Sequence, residues 1–184
     1  MPTTAVKLLT AEEFAGLPDP NDGSKQELVH GEIVTMPPPA IRHGMLQTNM
    51  AILLGMFVKP NGLGTVVTES GTVTDRDPDT VRGPDVSFYS LAGMPEIPNG
   101  YHHARPELVV EILSPGDRRK TVRAKILEYL DAGVRLVWLV DPEARTVTVY
   151  HGTMRGVELG EGDRLDGVDA LPGFTCAVAD VFKR

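Results

Sequence analysis

Residues 107–113 read ELVVEIL, residues 135–140 read RLVWLV, and between them Val122, Ile126, Tyr129 and Leu130 recur at helical spacing. A short apolar run without alternation is the pattern of a strand buried on both faces. Ser114-Pro115-Gly116 closes the first run, and Gly133 stands where a helix over 119–132 would need its C-terminal cap. Strand, helix and strand over this length form a crossover unit, so the two strands are predicted to be parallel neighbours in one sheet.

Working outward, 146–150 follows Asp141-Pro142 and is predicted to return as a hairpin, and 157–182 reads as short strands and turns ending in a Gly173-Phe174 loop. Toward the N-terminus, 85–89 reads as a short strand, and 91–105 as an irregular loop. A charged, proline-containing loop is predicted over 75–83, and β-branched residues fill 64–73 around a turn at Ser70-Gly71. Met45, Leu46, Met50, Leu53, Leu54, Phe57 and Val58 predict a helix over 42–59, stopped by Pro60-Asn61-Gly62. Residues 26–36 read as two strands turning at His30-Gly31 and ended by three prolines. Thr10 caps a short helix signal at 11–14, ahead of a Pro/Asp/Asn/Gly loop at 18–23. The expectation is an α/β fold of mixed α+β type, one domain over 1–184.

With 184 residues, 41% hydrophobic and 23% charged, the chain has ordinary globular composition and room for one core. Its longest apolar run in a helical pattern, 51–58, is far short of the ~20 residues of a membrane span. No basic segment followed by an apolar one opens the chain, so a soluble cytoplasmic protein without membrane contact is expected. Cys176 is the lone cysteine, which excludes an internal disulfide and predicts a small buried apolar residue. The formal net charge of −7 argues against broad attraction to nucleic acid, which would have to be met locally. Arg118, Arg119, Lys120, Arg123 and Lys125 form one such locality, although a solvated helix face is the plainer reading.

Glu111 breaks the apolar run of its strand, where a carboxylate is costly unless paired or bound to a metal. Asp85 follows Pro84 at a strand start, and alone such a pair reads as a turn. The next buried strand supplies Glu111, so the two carboxylates could share a cation such as Mg²⁺. Lys125 sits at the edge of the helix stripe. Either it snorkels like an ordinary lysine, or it returns a cation to those carboxylates.

In order along the chain stand ELVHGEIV from Glu27, a proline-rich turn with His43, Pro84-Asp85-Val86, PELVVEILSP from Pro106, Lys125 with Tyr129, Gly133-Val134, and WLVDP from Trp138. This pattern resembles the Uma2 family, also described as a domain of unknown function of the restriction-endonuclease-like, PD-(D/E)XK type. The resemblance implies a mixed central sheet flanked by helices, with extra β-hairpins, and Asp85 and Glu111 as metal ligands. The superfamily's usual lysine lies two residues after the second carboxylate, where this chain has Leu113. The Uma2-like pattern puts it on the following helix, where Lys125 matches and Lys120 competes. Glu27, His43, Ser114 and Tyr129 are the further pocket candidates. The implied activity is a DNA endonuclease using Mg²⁺ or Mn²⁺. A homodimer is expected, since duplex cleavage needs two sites and the hairpin over 135–150 could offer an edge.

The main rival is a non-catalytic nucleic-acid-binding or protein-interaction module that keeps the fold, because fold does not fix function. Ser114 lacks the surroundings of a nucleophile turn, and Pro115 removes the amide an oxyanion hole there would use. His102 and His103 are adjacent and so would point apart in an extended segment, reading as loop residues. Gly62-Leu63-Gly64 lacks the third glycine of a dinucleotide fingerprint, and no Walker-type loop occurs. Trp138 in a buried strand reads as core.

Overall fold

The computed structural model describes residues 7–101 and 104–184. Its elements in chain order are α1 (Ala11–Ala15), β1 (Lys25–Val29), β2 (Glu32–Met36), α2 (Ile41–Val58), β3 (Gly64–Thr68), β4 (Thr72–Asp75), β5 (Thr80–Arg82), β6 (Val86–Ser90), β7 (Leu108–Ile112), α3 (Arg119–Asp131), β8 (Leu136–Asp141), β9 (Thr146–His151), β10 (Val157–Leu159), β11 (Arg164–Asp166), β12 (Thr175–Ala177) and α4 (Val178–Val181). The architecture is mixed α+β. A six-stranded sheet runs β10-β9-β8-β7-β6-β3, a four-stranded sheet runs β2-β1-β5-β4, and β11 pairs with β12.

Within the large sheet only β7 and β8 are parallel, Leu108 opposite Leu136 through Ile112 opposite Val140. The connecting α3 is the crossover predicted from its spacing. It ends in a Schellman motif: Val134 N–H bonds to Tyr129 C=O and Gly133 N–H to Leu130 C=O, each at 2.9 Å. Gly133 has φ +91°, where a side chain would also meet Arg105.

One face of the large sheet is covered by α2. Leu46, Met50, Leu54 and Val58, four residues apart on one helix line, pack with Val86, Phe88, Leu108, Val110, Ile112, Trp138, Phe174 and the α4 side chains. Full burial stabilises each such side chain by roughly 1.5–3 kcal/mol. On the other face, Ile126 and Tyr129 of α3 pack on Val109, Val134 and Val137. The smaller sheet is sealed by Ala11 and Phe14 of α1 against Leu28 and Val81. Its β1–β2 hairpin turns through His30 (φ 50°) and Gly31 (φ 78°), both left-handed as a two-residue turn requires.

Three expectations are corrected. The predicted loop over 75–83 contains β5, which pairs with both β1 and β4; its charged composition hid it. The C-terminal segment does not end in the Gly173-Phe174 loop but continues through β12 into α4. The β8–β9 hairpin offers no free edge, because β10 pairs with β9 from Val157 opposite Val149 to Leu159 opposite Val147. Among the described residues no helix is long and apolar enough to cross a membrane.

Candidate functional site

At the end of the large sheet where the inner strand β6 begins and its neighbour β7 ends, apolar packing gives way to charge. The antiparallel register pairs Val86 with Val110, Ser87 with Val109 and Phe88 with Leu108. Continued by one residue, it brings Asp85 opposite Glu111, and directly opposed residues share a face. Asp85 is 5% exposed. Its Oδ2 accepts a hydrogen bond from the Ile112 N–H at 2.7 Å, with His43 Nε2 at 3.3 Å and Lys25 Nζ 3.8 Å from Oδ1. Burial alone would raise the Asp85 pKa, but the His43 hydrogen bond, Lys25 and the Ile112 amide outweigh it and hold it below the usual carboxylate value.

Glu111 leaves β7 toward α3. Tyr129 donates its hydroxyl to Glu111 Oε1 at 2.6 Å, and Lys125 Nζ donates to Oε2 at 3.0 Å. Burial first, then the Asp85 and Glu27 carboxylates, raise the Glu111 pKa above its ordinary value despite Lys125. Tyr129 is fully buried and its pKa is pushed well up by desolvation and by Glu111, so it remains a hydroxyl donor.

Lys125 lies one turn before Tyr129 on α3, and its ammonium also reaches Glu27 Oε1 at 3.1 Å. Desolvation would lower the Lys125 pKa, but Glu111 and Glu27 dominate and raise it, so the ammonium stays charged. Glu27, 2% exposed on β1, accepts from the Gly83 N–H at 3.1 Å and from Arg82 Nη1 at 2.9 Å. Burial works against ionising Glu27, yet Lys125 and Arg82 keep its pKa low. Arg82 in turn makes a forked contact to Glu128, Nη2 to Oε2 at 2.6 Å.

These contacts fix the segment just before β6. Lys25 and Glu27, two apart on β1 and so on one face, hold the Gly83 carbonyl and amide respectively. Gln47 of α2 donates to the Asp85 carbonyl at 3.1 Å. The small sheet therefore clamps the Pro84-Asp85 turn onto the end of the large one.

Of the residues chosen from sequence, Asp85, Glu111, Lys125, Glu27, His43 and Tyr129 come together here. Ser114 and Lys120 do not: both are exposed, and Ser114 N–H is turned to the Asp117 carboxylate at 2.8 Å. His102 and His103 lie outside the described residues. Sequence reasoning missed Lys25, Arg82, Glu128 and Gln47. The alternation of Lys25 with Glu27, and an arginine just ahead of Gly83-Pro84-Asp85, were the available signals; Glu128 and Gln47 look like ordinary helix-surface residues. Trp138 is core, fully buried with its ring 5.9 Å from that of Phe174, and Cys176 is a buried thiol.

Comparison with known proteins agrees with this architecture. Residues 11–179 match the model of the Uma2 family, described as "Putative restriction endonuclease". A crystal structure of "a putative nuclease belonging to DUF820" from Anabaena variabilis is similar with a TM-score of 0.80 and 25% identity, over 95% of this chain and 97% of that one. No curated protein matches the chain. Since the matched span takes in both sheets and every residue that meets around Asp85 and Glu111, the chain belongs to the Uma2 family.

Proposed function

We propose that this protein is a cytoplasmic DNA endonuclease, hydrolysing phosphodiester bonds with a divalent cation, Mg²⁺ or Mn²⁺, at a PD-(D/E)XK-type site of Asp85, Glu111 and Lys125. The observation that carries this reading is a charged ammonium held between Glu111 and Glu27, beside a strand pair whose register, continued by one residue past Val86 and Val110, opposes Asp85 to Glu111.

The donor set suits a hard cation. Among the described residues no three of His, Cys, Asp and Glu are gathered as a cage, but Mg²⁺ takes only one or two carboxylates and completes its shell with water and substrate oxygens. Asp85 and Glu111 would hold it. The raised pKa of Glu111, caused by burial and by neighbouring negative charge, marks a place where added positive charge is favourable. When bound, such an ion polarises a phosphoryl oxygen and lowers the pKa of a coordinated water.

The chain's own groups supply orientation and charge. The Ile112 amide fixes one Asp85 oxygen, and the Tyr129 hydroxyl fixes one Glu111 oxygen, so both carboxylates are positioned before substrate arrives. Lys125 stays protonated and acts as a cation that offsets charge developing on the phosphoryl oxygens, not as a base. Glu27 and Arg82 are positioning residues that hold Lys125 in place. A homodimer would bring the second site that duplex cleavage needs, through an edge other than the β8–β9 hairpin.

The test is cleavage of duplex DNA by purified protein with Mn²⁺. Asp85→Asn, Glu111→Gln and Lys125→Met are each expected to lose on the order of 100-fold or more in rate. Variants that cut as fast as the parent would remove the assignment. Net charge −7 favours a non-catalytic module, and nucleic-acid binding without cleavage by the parent would support that reading.

A further inference from the structure

Five of the chain's 18 Lys and Arg residues fall between Arg118 and Lys125, in a protein of net charge −7. Lys125 is engaged by two carboxylates. The other four, Arg118, Arg119, Lys120 and Arg123, are exposed, and among the described residues none forms an ion pair. Lys7, Arg42, Arg76, Arg135, Arg145 and Lys183 each face a carboxylate. Lys59, Arg105, Arg155, Arg164 and Arg184 are exposed without an ion pair among the described residues, but apart from one another along the chain, so the density of the cluster is what sets it apart.

Helix stability does not account for this cluster. The first turn of α3 contains no acid, and Arg118, its N-cap, makes no side-chain capping bond. Cations at the positive end of a helix are unfavourable, and so are like charges four residues apart, as in Arg119 and Arg123. The fold tolerates these four charges at its own expense, which points to an anionic partner.

Geometry ties one member of the cluster, Lys120, to Lys125 of the site. Lys120 and Thr121 line one groove, of about 710 Å³, together with Lys125 and Arg82. Asp75, Glu128 and Asp131 line the same groove, and Asp131 lies at the far end of α3 from Lys120, so an anion is repelled toward the start of the helix. Lys120 lies five residues from Lys125, ~7.5 Å along the helix axis. The same five residues carry the side chain about 140° around the axis, so a strand that meets both Lys120 and Lys125 wraps over the start of α3.

We propose that the N-terminal half of α3 binds the phosphodiester backbone of a nucleic-acid strand, Arg118, Arg119, Lys120 and Arg123 meeting the phosphates that flank the one at Lys125. This surface rests on the nuclease reading for its partner. It adds where the strand runs: along the groove, past Lys120, and out over the start of α3 away from Asp75 and Asp131. Phosphate contacts of this kind set affinity and register without reading sequence.

The experiment measures the salt dependence of binding in EDTA, so that cleavage plays no part. The probes are a labelled DNA duplex and RNA of the same sequence, offered to the parent protein, to Arg119→Gln/Lys120→Gln, and to the control Lys59→Gln/Arg155→Gln, which makes the same charge change at exposed sites off the groove. The α3 pair is expected to weaken binding about tenfold near 0.1 M salt and to reduce the slope of log K against log salt by about two, while the control leaves both near parental values. Equal behaviour of the two pairs, or no binding of either probe by the parent, overturns the proposal. The two ideas separate cleanly: parental cleavage with Mn²⁺ and an α3 pair identical to its control sinks this surface alone. The expected binding result without any parental cleavage leaves the surface standing and sinks the nuclease.

Discussion

Successive residues of β7 meet two different worlds. Leu108, Val110 and Ile112 face α2, in a layer filled by Leu54, Val58, Trp138 and Phe174. Val109 and Glu111 face α3, where packing by Ile126 and Tyr129 ends in the chain of charges Glu111, Lys125, Glu27, Arg82 and Glu128. The first face is stabilised by area removed from water, which tolerates exchange of one apolar shape for another. On the second, each group depends on a named partner, because a buried charge left alone is costly.

The largest effect should come from the apolar face. Trp138→Ala is expected to lower unfolding free energy by about 3–5 kcal/mol in urea titration, by loss of buried area and opening of a cavity. Close behind, Lys125→Met keeps most of the side-chain length yet leaves Glu27 and Glu111 facing each other, and should cost about 3 kcal/mol. The matched change on the other face, Leu54→Met, should cost less than about 1.5 kcal/mol. Should the two methionine variants lose equal stability, the contrast between the faces fails. Tyr129→Phe removes a hydrogen bond to a charged group and nothing else, so a loss of about 1.5–3 kcal/mol is expected in the same titration.

The smallest effect concerns pH. Burial, then Asp180, push the Cys176 thiol from 9.0 up to about 11. Its pKa is raised on folding, so the stability it contributes is complete below pH 9 and is lost as pH rises toward 11. Alkylation by iodoacetamide at pH 8 should accordingly be slow until denaturant unfolds the chain; rapid native alkylation would put Cys176 outside the core.

What could be read in advance follows the same division. The β7-α3-β8 unit was legible because its apolar runs and helical stripe are local, and Gly133 marks the helix end. β5 was not, because Thr80–Arg82 sits among charged residues and owes its strand conformation to β1 and β4. α4 has four residues, too few to establish a period. In the site, Asp85, Glu111 and Lys125 could be singled out because each breaks a local rule or fits a family pattern. Arg82 and Lys25 left only the faint signals of strand alternation and of a position just ahead of Gly83, because their roles arise from contacts that join β1, β5, α3 and the segment before β6.

Calorimetric titration of Mn²⁺ into the parent protein, Asp85→Asn and Glu111→Gln bears most directly on the meeting of those two carboxylates around a cation. Saturable binding by the parent, abolished in both variants while their unfolding remains cooperative, is the expected result. Undiminished binding by either variant, or no binding by a folded parent, would contradict it.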